Sequence, residues 1–228
     1  MGDASTVVSL LLIAGISTLL IVTGLKHQPG IGIFGALVIL VPAVWLRREG
    51  LGALGFAPPE RWGRAALVAL GLGVGIQLLA VTVLEPLGEK LTGSRADHSV
   101  LDGVRGNGRA LGGLLVAVWL LVAPLEEGLY RGFLMTEIAR VLGTGPSALA
   151  VNVLVTSVVF GLSHGYQGRA GMLGTGVVGA LLGILFVLSG FNLWTAILTH
   201  GVIDTIGIGL IAVDGDRFLR EKLWGANH

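Results

Sequence analysis

The chain has 228 residues, 53% of them hydrophobic and 13% charged, with a net charge of +1. A soluble domain carries about 25% charged residues, so this deficit, together with a mean hydropathy of +0.84, points to a bilayer as the solvent. The near-neutral balance gives no case for a nucleic-acid partner, and the absence of cysteine excludes disulfides, thiolate metal sites and a cysteine nucleophile.

Ser5–Leu25 is an apolar run about one bilayer thickness long. It lacks the basic flank of a signal peptide. Met1-Gly2-Asp3-Ala4-Ser5-Thr6 loosely fits an acylation signal, but a spanning helix follows at once, so a lipid anchor would add little. Ile31–Leu46 is a second, shorter run that ends at Arg47-Arg48. Gly50–Gly63, with Pro58-Pro59 and an interfacial Trp62, reads as a loop. Ala65–Leu84 is the third span, and Glu85–Arg109 is the longest polar stretch, with room for a surface amphipathic helix. Leu111–Leu125 runs straight into Glu126-Glu127, and its helix is expected to continue to Arg140. Ser147–Phe160 leads to His164, Met172–Leu188 is apolar, and Leu193–Val213 is interrupted by His200 and Asp204. Asp214–His228 is a polar tail. Among the 38 glycines, Gly71/Gly75 and Gly179/Gly183 have the small-xxx-small spacing of close helix contacts.

These runs predict an all-α, polytopic transmembrane helix bundle of about seven spans, or eight if Glu85–Arg109 hides a re-entrant element. Residues 1–228 read as a single integral membrane domain whose motif-bearing core covers about 110–213. Seven spans put Lys26, Lys90, Arg95, Arg105, Arg109, Arg169, Arg217, Arg220 and Lys222 on one side, against Arg47, Arg48, Arg61, Arg64 and Arg140 on the other. The positive-inside rule then assigns the C-terminus to the cytoplasm, and the expected location is the plasma membrane of a prokaryote.

Charges inside apolar helices are the informative residues, because each costs roughly 2.5–3.5 kcal/mol at mid-membrane. They fall in three segments: Glu126, Glu127 and Arg131; His164; and His200 with Asp204. Adjacent residues on a helix point about 100° apart, so Glu126 and Glu127 cannot share a direction. Glu127 and Arg131 are four apart with the acid first, the favourable order for an ion pair. Glu126 has no such partner in its own helix, which suits it to general-base work. Pro124, just before the pair, can kink the helix and open space for water. Phe160 and His164 share one face, as do His200 and Asp204. Asp204 can therefore orient His200, while His164 is left to reach Glu126 across helices. Each feature alone has a plain alternative: an ion pair as packing glue, a satisfied interior histidine, a local hydrogen bond. Three such segments in so charge-poor a chain favour a site.

The three segments resemble the CAAX protease and bacteriocin-processing family, also called the ABI family, which includes the type II CAAX prenyl endopeptidases. Its pattern is EExxxR, then FxxxH, then HxxxN or HxxxD, on separate membrane helices. Here these read Glu126-Glu127-Gly128-Leu129-Tyr130-Arg131, Phe160-Gly161-Leu162-Ser163-His164 and His200-Gly201-Val202-Ile203-Asp204. The resemblance covers roughly Ala123–Asp204, and its strength lies in the ordered triple. It implies a metal-independent endopeptidase with no cofactor, acting on a peptide or protein substrate, lipidated or not, at or in the lipid bilayer. Carried across, Glu126 with His164 would activate a water, His200 with residue 204 would stabilise the oxyanion, and Glu127 and Arg131 would hold their helix in place, with Phe160 an orienting residue. Tyr130 stands where the family often has Phe. Asp204 stands where the eukaryotic-type enzymes have Asn, and an ionised Asp cannot donate to an oxyanion.

Four rival readings stand beside this one. Gly161-Leu162-Ser163-His164-Gly165 fits G-x-S-x-G, but the nucleophile elbow needs a strand-to-helix turn; a rhomboid-like Ser163–His200 dyad is the form a serine protease would take. Glu126, His164 and His200 could ligate zinc, although HExxH is missing. A non-catalytic membrane protein, such as an immunity factor, chaperone or scaffold, would keep the helices without the chemistry. A transporter would use intramembrane carboxylates as an ion path, but no internal repeat is evident.

Overall fold

The structure is a computed structural model that describes residues 3–48 and 50–224. The first two residues of the acylation-like signal and the last four of the polar tail lie outside the described residues. Among the described residues, seven helices are long and apolar enough to cross a membrane. They are α1 (Asp3–Leu25), α2 (Pro29–Leu46), α3 (Trp62–Thr92), α4 (Gly108–Leu142), α5 (Pro146–Ser163), α6 (Gly168–Leu188) and α7 (Leu193–Ala212); a short amphipathic α8 (Gly215–Trp224) follows. Among the described residues there is no strand. The chain is a multi-pass membrane protein, all-helical and with seven candidate spans among the described residues.

One expected boundary moves. Glu85–Thr92, expected to open the polar loop, instead continues α3, and Glu85–Arg109 holds no re-entrant span. Pro86 suggested a break there, because a helical proline lacks an N–H and its ring strikes the carbonyl four residues back. The helix absorbs the proline with a π-helical turn at Ala80–Leu84, which contains that fourth residue back, Thr82. The same device recurs in α4, where Val118–Val122 is π-helical just before Pro124. The expected kink at Pro124 is thus a widened turn and not an interruption.

Helix α5 packs along α6, α7 along α3, and α1 against α2 and α5. Helix α7 is the most enclosed span, 56% buried against 17% for α2, so it forms the centre of the bundle. Leu11, Phe34, Val41, Leu67, Leu120 and Leu188 are exposed around the outside, as expected where lipid replaces water. The inner contacts rest on close packing, since lipid tails leave no hydrophobic force between helices. The glycine expectation is half met. On α3 the packing residue is Gly73, where a Cβ would lie 2.6 Å from Val202 of α7, whereas Gly71 and Gly75 face open space. On α6, Gly179 and Gly183 both face neighbouring helices.

Beyond the end of α7, Arg105 ties the α3–α4 loop down. It donates to Asp102, Asp214, Asp216 and the Ile211 carbonyl. Its guanidinium pK rises because the Asp216 hydrogen bond outweighs burial. Burial pushes the Asp216 carboxyl up, but Arg105 more than reverses this and leaves it below the ordinary value. The clamp fixes the α7 end nearer Asp204.

Candidate active site

Glu126 and Glu127 lie on α4 between two π-helical stretches, Val118–Val122 and Gly128–Met135. Such turns re-aim the side chains that follow them and are frequent at functional sites. The two carboxylates are treated very differently. Glu127 is 0% exposed. Its Oε1 accepts from Arg131 Nη1 at 2.9 Å and from His200 Nδ1 at 2.8 Å, while its Oε2 has no hydrogen-bond partner among the described residues. Arg131 donates its other nitrogen to the Gly179 carbonyl at 2.7 Å, and its guanidinium lies 4.6 Å from the centre of the Phe160 ring. A Cβ on Gly179 would strike that ring at 2.8 Å, so Gly179 serves the site twice, by its carbonyl and by its missing side chain.

Glu126 faces the other way. Its Oε2 is 4.0 Å from His164 Nε2 and 4.0 Å from His200 Nε2, too far for hydrogen bonds. The gap adjoins a cavity of about 20 Å³ walled by Glu126, Tyr130, Ser163, His164 and Tyr166, and roofed by Leu20, Pro29 and Ile33. That volume suits about one water molecule with several polar partners.

The hydrogen bonds also assign the histidine protons. His164 ends α5, and its Nδ1 lies 2.8 Å from the Phe160 carbonyl. A carbonyl can only accept, so Nδ1 carries a proton and His164 turns its Nε2 toward Glu126. Likewise His200 Nδ1 donates to Glu127, and its Nε2 points toward Glu126 and, at 3.5 Å, Asp204. The sequence reading gave the orientation of His200 to Asp204. The shorter contact is with Glu127, which holds the ring more firmly.

The structure brings together all seven residues singled out from the sequence: Glu126, Glu127, Arg131, Phe160, His164, His200 and Asp204. It also adds residues that the motif reading passed over. Tyr130 packs its ring edge-on against Phe160 at 4.8 Å and donates its hydroxyl to Ser163 at 2.7 Å. Tyr166 packs 5.6 Å from the His164 ring and lines the cavity. One signal could have found both: the chain has two tyrosines, one beside Arg131 and one two residues after His164. Ser163 passes its own proton to the Phe160 carbonyl at 2.7 Å, so in this arrangement no base is placed to activate it. Among the described residues, no group of three His, Asp or Glu is spaced to hold a metal ion.

Residues 109–206 match the family model described as Type II CAAX prenyl endopeptidase Rce1-like. The match spans less than half the chain and contains every motif residue named above, so the resemblance read from the three motifs and the family match rest on the same stretch. Over this stretch the chain is similar to the type II CAAX prenyl endopeptidases. No curated protein and no solved structure matches the chain.

Proposed function

We propose that this chain is a membrane-embedded, metal-independent endopeptidase in which Glu126 and His164 activate a water. The observation that carries the reading is the one-water cavity lined by Glu126 and His164, beside the 4.0 Å gap between the carboxylate and Nε2. A water there can give its proton to Glu126 while its oxygen attacks a peptide carbonyl carbon. The carbonyl π pair moves to oxygen and forms a tetrahedral oxyanion. When the C–N bond breaks, that pair reforms the carbonyl, and the proton taken up returns to the leaving nitrogen. General-base assistance of this kind contributes about 10²–10⁴-fold.

His200 stabilises the oxyanion from Nε2. Because Nδ1 already donates to Glu127, donation from both ring nitrogens requires the imidazolium form. Asp204 supports that ring and does not itself donate. Glu127, Arg131 and Phe160 lock α4, α5 and α7 into register, so they are positioning residues. The chemistry resides in the core, about 110–213, of a single membrane domain. The substrate is a peptide or protein segment at or in the bilayer, lipidated or not, and the C-terminus faces the cytoplasm of a prokaryotic cell. The test is cleavage of a pool of synthetic membrane-associating peptides, with and without a farnesylated C-terminal cysteine, by detergent-purified protein. Wild type should cut members of the pool and Glu126→Gln none; equal cleavage by both would sink the reading.

A further inference from the structure

Two tyrosines border the water-sized cavity, and their hydroxyl protons have different fates. Tyr130 donates to Ser163 at 2.7 Å, and Ser163 donates onward to the Phe160 carbonyl at 2.7 Å. That proton is committed within the bundle. Tyr166 is held from the other side. Thr175 donates to Gln167 Oε1 at 2.8 Å, which fixes the amide so that its nitrogen faces Tyr166 and donates to the phenol oxygen at 3.4 Å. A Cβ on Gly171 would lie 2.3 Å from Gln167 Cβ, so a glycine there leaves the Gln167 side chain its place. The Gln167 backbone is pinned too, since Asp97 N–H donates to its carbonyl at 2.9 Å. The phenol oxygen thus accepts from Gln167, and its own proton is left for whatever occupies the cavity.

We propose that Tyr166 is a catalytic residue that donates its phenol proton as a hydrogen bond to the oxyanion, beside His200. The proposal rests on the endopeptidase reading above. It supplies a second donor beside His200. A tetrahedral oxyanion is stabilised by preorganised donors, and Asp204, when ionised, offers none. A phenol keeps its proton near neutral pH and needs no reorganisation to use it. The proton is not transferred, so no further reactant is required. Thr175 and Gln167 act through Tyr166 and are positioning residues.

The test uses full-length protein in detergent with a peptide from the pool that wild type cleaves. Tyr166→Phe keeps the ring against His164 and removes only the hydroxyl. Its kcat should fall about 10²-fold or more, as for the loss of one oxyanion donor, with KM changed less than about threefold. A phosphinate analogue of the same peptide, which mimics the tetrahedral state, should bind more weakly by a similar factor, while binding of the uncleaved peptide to Glu126→Gln and to Glu126→Gln/Tyr166→Phe should be alike. Thr175→Val, which frees Gln167 without touching the phenol, should lower kcat by a smaller factor and serves if Tyr166→Phe fails to accumulate. If Glu126→Gln is dead but Tyr166→Phe, or Thr175→Val in its place, keeps wild-type kcat and phosphinate affinity, the role of Tyr166 is overturned and the endopeptidase reading stands. If wild type cuts nothing, or Glu126→Gln cuts as well as wild type, both fall together.

Discussion

Helix α4 carries two buried acidic clusters about ten residues apart, and they are built to opposite ends. Glu137 is 1% exposed. Its Oε1 meets Arg47 from the end of α2 and Arg140 at 3.4 Å, and Arg47 also reaches Ser9 on α1. One carboxylate thus draws α1, α2 and α4 together through the Arg47 guanidinium. Glu126 is 8% exposed and has its nearest imidazoles at 4.0 Å, with a cavity in front of it. Burial alone therefore does not mark a working carboxylate in a membrane. What sets Glu126 apart from Glu137 is burial without a fixed cation, next to space. Glu127 stands between the two cases, paired like Glu137 but adjoining Glu126.

The sharpest way to break this comparison is to neutralise both acids in turn. Glu126→Gln should lower kcat by 10³-fold or so, within the range of general-base effects, with thermal unfolding in detergent little changed. Glu137→Gln should do the reverse, keeping kcat and losing about 1–3 kcal/mol for a buried charged hydrogen bond. An inactive but stable Glu137→Gln protein would mean that the clasp belongs to the chemistry.

Next in size is the ion pair. Arg131→Ala leaves Glu127 as a buried carboxylate without its guanidinium partner, which typically costs about 3–5 kcal/mol, and it should unfold at lower temperature than Glu126→Ala. Glu127→Gln with Arg131→Met should recover much of that loss without restoring cleavage, because His200 Nδ1 then lacks its charged acceptor. Should Glu126→Ala be the least stable of the set, the roles of the two glutamates are exchanged.

A smaller effect separates the chemistries. Ser163→Ala should stay within a few-fold of wild-type kcat, since the hydroxyl only links Tyr130 to a backbone carbonyl. Chelators should not inhibit directly. Loss of cleavage in Ser163→Ala with Glu126→Gln still active would favour the serine reading, and chelator inhibition reversed by zinc would favour the metal reading.

The smallest effect lies at the Arg105 clamp. The Asp216 carboxyl is held below its ordinary value, chiefly by Arg105 against the pull of burial. A carboxyl depressed in the folded state contributes stability above its unfolded pK, about 3.9, and loses it as pH falls through the lower folded value. The gap in thermal stability between wild type and Asp216→Asn should be flat near neutral pH and close below about pH 4. For a partly exposed pair outside the spans it should be less than about 1 kcal/mol. A gap that persists undiminished at acid pH would show that the clamp acts through shape and not charge.

What could be read in advance divides along a physical line. Contacts within one helix follow from a fixed period, so Glu127–Arg131 and His200–Asp204 were legible four residues apart, as were the seven apolar spans. Contacts between helices depend on rotation and depth, which no local period encodes. The Glu127–His200 bond joins residues 73 positions apart, and no spacing could have set it above Asp204. Gly73 rather than Gly71 or Gly75 faces α7 for the same reason. Glu137 passed unremarked because, six residues before a Gly-Thr-Gly turn, it looked like an ordinary helix end. The continuation of α3 past Pro86 was hidden by a rule that holds for α-helical turns and fails at a π turn.

The roof of the cavity is made by Leu20, Pro29 and Ile33, which belong to the α1–α2 hairpin, whereas residues 109–206 carry the family match. A pocket of about 20 Å³ has room for water but not for a peptide. The cavity is therefore composite: its polar wall, from Glu126 to Tyr166, comes from the matched stretch, and its apolar wall comes from a hairpin outside it.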